Sequence, residues 1–326
     1  MYARRRRLLA AVAVALASGV VASASALAQA RSATGLRNAG PQESAGLHEY
    51  SCPIFPANNP LNQEIAHAPV APNSAAYIAS IGLTGHLHPD FGTNPSYGIP
   101  YTVVGPHQPK VPIKFTEYGE ESNPGPYPIP ANAPVEGAGE EGDRHVLVLQ
   151  EGNCKLYELY NAQRAANGWE AGSGAVFNLR SNALRPNGWT SADAAGLPIF
   201  PLLVRYPEVQ AGQIDHALRV TVQLTQAGFI HPATHFASSS TDPALPPMGL
   251  RLRLKASYSL AGFHGESLII LRALKRYGLI VADNGSSWYI TGAPDPRWND
   301  EDLEQIKRVP GSAFEAVQTG SILRTG

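Results

Sequence analysis

Four carboxylates and two histidines fall on or beside segments that alternate like β-strands: Glu158, Asp193, Asp215 and Asp283, with His145 and His235. Carboxylates in pairs suit glycoside cleavage, one protonating the leaving oxygen while the other attacks the sugar or activates water. A histidine or lysine beside them suits β-elimination instead. From Cys154 to Asn161 the residues Cys154, Leu156, Glu158 and Tyr160 share one face, which sets Glu158 among apolar neighbours. A two-residue turn at Glu151-Gly152 would place His145 directly across from Glu158. That couple reads either as an acid/base pair with a raised carboxylate pKa or as a structural ion pair.

The second candidate constellation is Asp215, His235 and Arg253 on one concave surface. Arg253 would keep Asp215 ionised as base or nucleophile, and His235 would carry the proton. Arg253 and Lys255, with Trp189, Asp193 and Asp283, are the expected substrate contacts. Trp169, Trp288 and Tyr127 join Trp189 as aromatics on loops, available to stack on sugar rings.

Three familiar motifs fail on context. Gly137-Ala138-Gly139-Glu140-Glu141-Gly142 matches the dinucleotide-binding spacing, but it precedes a strand, opens no helix and would set two carboxylates beside a pyrophosphate. Ala171-Gly172-Ser173-Gly174-Ala175 lacks the first glycine of a nucleophile elbow. His231 and His235 are four apart without the glutamate of a zinc-protease helix, and Pro232 lies between them. No metal and no cofactor is therefore expected.

The elements that must hold these residues are mainly strands. Ile214, His216, Leu218, Val220, Val222 and Leu224 alternate with polar residues, as do Leu250, Leu252, Leu254, Ala256 and Tyr258. The two runs are expected to pair, apolar faces inward, leaving Asp215, Arg219, Arg251, Arg253 and Lys255 on an exposed charged face. A helix is expected from Glu266 to Tyr277, stopped by Gly278, followed by a hairpin of Leu279–Ala282 with Ser287–Thr291. Many short strands between Gly/Pro turns predict a mainly β fold, a two-sheet sandwich of jelly-roll type with that one helix packed outside.

Arg4–Arg7, an apolar stretch from Leu8 to about Val21 and a closing Ala28-Gln29-Ala30 read as a signal peptide over residues 1–30. The apolar stretch is too short for a membrane span. A disordered lead-in is expected over 31–48 and a single β-rich domain over 49–326. Without residues 1–30 the chain loses four arginines and no acids, leaving 21 basic against 26 acidic residues. That balance offers no footprint for nucleic acid. Cys52 and Cys154 are the only cysteines, an even pair that predicts one disulfide in an oxidising, extracellular or periplasmic compartment.

Asp-His-Ala-Leu-Arg at 215–219, Met-Gly-Leu-Arg-Leu-Arg-Leu-Lys-Ala-Ser at 248–257, Gly-Trp-Thr-Ser-Ala-Asp-Ala-Ala-Gly-Leu-Pro at 188–198 and Ala-Asp-Asn-Gly-Ser-Ser-Trp-Tyr-Ile-Thr-Gly-Ala-Pro-Asp at 282–295 resemble a family of hypothetical exported microbial proteins. The resemblance covers most of the chain beyond residue 30. It implies export, and it assigns no activity, cofactor or site residue. Export, sandwich patterning, loop aromatics and strand carboxylates together lead to an expected function. The chain reads as a secreted carbohydrate-active enzyme, hydrolase or lyase, acting on an extracellular polysaccharide. The competing expectation is a non-catalytic carbohydrate-binding or envelope-associated protein.

Overall fold

Leu279, Ile280, Val281 and Ala282 form an unbroken apolar run, the signature of a strand covered on both faces rather than one. In the structure, a computed structural model that describes residues 48–49, 51–140 and 142–324, that run lies inside a six-stranded sheet. Across the sheet the order is Phe314–Val317, Arg251–Leu254, Leu279–Asn284, Leu218–Val222, Tyr289–Thr291 and His88–Asp90. Leu218–Val222 runs parallel to Leu279–Asn284 and antiparallel to Tyr289–Thr291. His88–Asp90 closes one edge, where Pro89 is tolerated because an edge strand need not donate from every residue.

The second sheet has four strands in the order Ser173–Asn178, Lys155–Tyr160, Val146–Gln150 and Tyr101–Val104. One of its faces contributes Leu147, Leu149, Leu156 and Phe177 to the same apolar cluster as Leu218, Val220 and Leu252 of the larger sheet. Its other face, with Val146, Val148, Tyr157 and Leu159, packs with Trp169 of a three-stranded sheet and with Tyr127. The fold is therefore mainly β, with mixed sheets layered over a shared core. The helix Gly265–Arg276 packs by Ile270, Leu271 and Leu274, and Gly278 (φ 70°) ends it as the sequence predicts. Helix Ser74–Ile81 lies against the far edge strand, where Ala316 donates its N–H to the Ser74 hydroxyl at 2.8 Å. Cys52 and Cys154 form the expected disulfide. The expected signal peptide and the lead-in as far as residue 47 lie outside the described residues.

Four sequence expectations are corrected. The runs at 214–224 and 250–258 share a sheet but do not pair, because Leu279–Asn284 stands between Leu218–Val222 and Arg251–Leu254. The segments after Leu279 form no hairpin, since Leu218–Val222 separates them. Arg219 and Arg251 are not exposed but buried, because both faces of this sheet are covered. Finally, the turn after Val146–Gln150 takes four residues, Gln150 pairing with Lys155, so Leu147 and not His145 lies opposite Glu158.

Candidate functional site

Between the two large sheets runs a segment without regular strand in which every residue from Ala195 to Arg205 is buried. Its backbone polar groups need partners that water does not supply. Glu158, fully buried on the central strand, accepts the N–H groups of Ile199 (3.0 Å) and Phe200 (2.9 Å). Burial pushes its pKa up to about 7 against those two hydrogen bonds. Glu158 thus anchors the segment and has no reach to a ligand.

The same segment begins at Asp193, whose side chain is wholly buried. Arg219 grips it in fork geometry, Nε and Nη2 each at 3.0 Å, and also reaches Asp283 at 2.7 Å and the Thr291 hydroxyl at 2.9 Å. A bulge puts Asp283 within that reach. Val220 pairs with Val281 but Thr221 pairs with Asp283, so Ala282 is an extra residue. Without it Asp283 would share the face of Val281 and Val220; with it, Asp283 stands on the face of Arg219. Burial, opposed by Arg219, pushes the Asp283 pKa up to about 6.

Asp193 and Asp283 line an open cleft of about 200 Å³. His145, His235, Asp143, Asn284, Tyr118 and Tyr160 line it as well. That volume is small for a whole ligand and suits one unit of a longer one. His235 lends Nδ1 to the Ala194 carbonyl at 2.7 Å, which fixes the N–H there. Its Nε2 has no hydrogen-bond partner among the described residues, so a lone pair remains for a ligand or a water.

His145 is held differently. Nδ1 meets Glu136 Oε2 at 2.6 Å and Nε2 meets the Ala192 carbonyl at 2.9 Å. Both partners accept, so both nitrogens must donate and the ring is an imidazolium. Burial works against that charge, but the Glu136 carboxylate outweighs it and pushes the pKa up to about 9. Glu136 is held below the usual carboxylate range, burial being overcome by the same pair. His145 is therefore a locked cation in the cleft wall and not a proton shuttle.

Of the residues singled out from sequence, His145, His235, Asp193 and Asp283 meet in this cleft. Asp215 does not line it; its carboxylate lies among Gln213, Tyr277 and Arg276. Arg253 is held by Glu315 and by the carbonyls of Ile65, Ala66 and Ala68, and Lys255 by the Ser312 carbonyl. The expected surface joining Asp215, His235 and Arg253 is thus not formed. Trp189 is half-buried with the Arg185 guanidinium 5.6 Å from its ring. Trp169, Trp288 and Tyr127 are core residues, because each fills space between layers. The cleft's own aromatics are Tyr118 and Tyr160; neither they nor Arg219, Glu136 and Asp143 carry a site role in the sequence pattern alone. The available signal was the apolar run at 279–282: a sheet covered on both faces obliges any charge it carries to find a buried partner.

Among the described residues no group of three or more His, Cys, Asp or Glu side chains is placed to hold a metal ion. No helix among them is long and apolar enough to cross a membrane. Fold and site define a disulfide-bonded, mainly β protein with a polar cleft between two sheets. No family model, curated protein or solved structure matches the chain.

Proposed function

We propose that the chain is a secreted carbohydrate-active enzyme, a hydrolase that takes a neutral glycan into the cleft of Asp283 and His235. One observation carries this reading: Asp283 is a carboxyl whose pKa stands near 6 at the wall of an open cleft, braced by a buried arginine. Such a group is partly protonated near neutrality and can give its proton to a glycosidic oxygen. His235, with Nδ1–H fixed on a carbonyl, accepts the proton of the attacking water at Nε2. Tyr118 and Tyr160 supply the ring faces on which sugars stack.

Hydrolysis is favoured over elimination by the charge of the walls. A lyase must bind a uronate carboxylate, and the cleft is lined by Asp143, Asp193 and Asp283 with no lysine or arginine; its one cation, the His145 imidazolium, has both nitrogens already taken by Glu136 and the Ala192 carbonyl. Arg219 lies behind the wall with Nε, Nη1 and Nη2 all engaged. The site outside the cytoplasm rests on the Cys52–Cys154 disulfide and on the signal-like pattern of residues 1–30.

Release of reducing ends from a panel of neutral and acidic polysaccharides tests the proposal. Asp283→Asn and His235→Ala should each lower turnover at least about 100-fold with the melting temperature kept. Retention of a glycan without product would make the protein a binder, and no interaction with any glycan would remove both readings.

A further inference from the structure

The cleft is not the only polar hollow on this sheet. At the His88–Asp90 edge a groove of about 280 Å³ is lined by His88, Asp90, Asn94, Tyr97, Glu304 and Lys307, among others. Two of these side chains keep polar atoms open to a ligand. The half-buried Asp90 carboxylate and the ring nitrogens of His88 have no hydrogen-bond or ion-pair partner among the described residues. Burial raises the Asp90 pKa; burial and then Lys307 lower that of His88, against Asp90 and Glu304. His88 stacks on Tyr289 with centroids 4.1 Å apart, and Tyr97 on the groove wall is 58% exposed.

Strand register relates the groove to the cleft. Thr221 pairs with Asp283 on one side and with Tyr289 on the other, and Tyr289 pairs with His88. Residues paired in this way stand on one face, so Asp283 and His88 share a face of the sheet three strands apart, about 14 Å at the usual strand spacing. That span exceeds a single sugar ring.

We propose that the edge groove is a second sugar-binding site that holds a distant part of the same glycan chain whose linkage lies in the cleft. Asp90 accepts hydrogen bonds from sugar hydroxyls, a His88 ring nitrogen exchanges a further one, and Tyr97 covers the apolar face of the sugar. This rests on the glycan reading of the cleft, and it predicts that affinity grows with chain length because two contacts act on one ligand.

The test compares wild-type protein with Asp90→Asn/Tyr97→Ala on neutral oligosaccharides of increasing length and on the polymer. The double variant should keep wild-type turnover on the shortest substrates and lose about 10-fold or more in affinity for the longest, since linked contacts multiply. Asp90→Asn alone, which preserves shape, serves if the double variant melts early. Equal behaviour at every length overturns the edge site and leaves the cleft's function standing. Loss of turnover on the shortest substrates also overturns it as a separate site. If wild-type protein takes no glycan at all, both proposals fall.

Discussion

Arg219 and Asp193 form a two-pronged ion pair with both contacts at 3.0 Å and neither side chain more than 5% exposed. Removing one partner leaves the other charged and dry. Arg219→Met should therefore destabilise the fold by about 3–5 kcal/mol, measured as a lower urea midpoint. Asp193→Asn should do less, since Asp283 still faces the guanidinium. It should also lower the pKa of Asp283, whose rise owes part to the Asp193 charge.

The acid role of Asp283 fixes the sign of a pH profile. A proton donor with a pKa of about 6 is loaded below that value, so kcat/KM should fall as pH rises through 6. Asp283→Asn should abolish that limb, and Asp193→Asn should move it to lower pH. A limb unchanged in Asp283→Asn would assign the proton to another group.

The His145–Glu136 pair gives stability its own pH dependence. The folded pKa of His145 is raised, so its contribution is fully present below the ordinary histidine value of about 6.5 and is lost as pH rises through about 9. Glu136 is depressed, so its share is lost in acid as pH falls through its folded pKa. Urea unfolding of wild type and His145→Gln should differ most between these limits and converge above about pH 9. A constant difference across the range would show that the imidazolium is not what the ion pair stabilises.

Glu158 tests the buried segment between the sheets. Glu158→Ala orphans the Ile199 and Phe200 N–H groups, each worth about 1–3 kcal/mol when buried without a partner, and should destabilise accordingly. Because its folded pKa is raised to about 7, wild-type stability should decline as pH rises from the usual carboxylate range through 7. Glu158→Gln should flatten that decline.

Strand existence, the helix at 265–276 with its glycine stop and the disulfide were legible in the chain, because each rests on local periodicity or composition. His145, His235, Asp193 and Asp283 stood out singly as polar residues on or beside strands, but not as one group. What was not legible depends on neighbours far away in sequence. Alternation at 214–224 announces a strand but cannot say that both its faces are covered, which turned Arg219 from a surface residue into the centre of the site. A single bulged residue, Ala282, decides the face of Asp283, and no residue type marks it. The two extra residues in the turn before Lys155 moved Glu158 from His145 to Leu147, so that the apparent acid/base couple became an anchor and a locked cation.

Helix Ser74–Ile81 finds its packing partner 242 residues further on, where Ala316 bonds to Ser74 and receives the N–H of Ala71. A chain made from its N-terminus must carry this helix through all the intervening residues before that strand exists. Such long-range closure makes folding slow. Loss of Phe314–Val317 would remove an edge of the larger sheet and uncover the first helix together. The first helix is thus ordered by a strand that is made long after it.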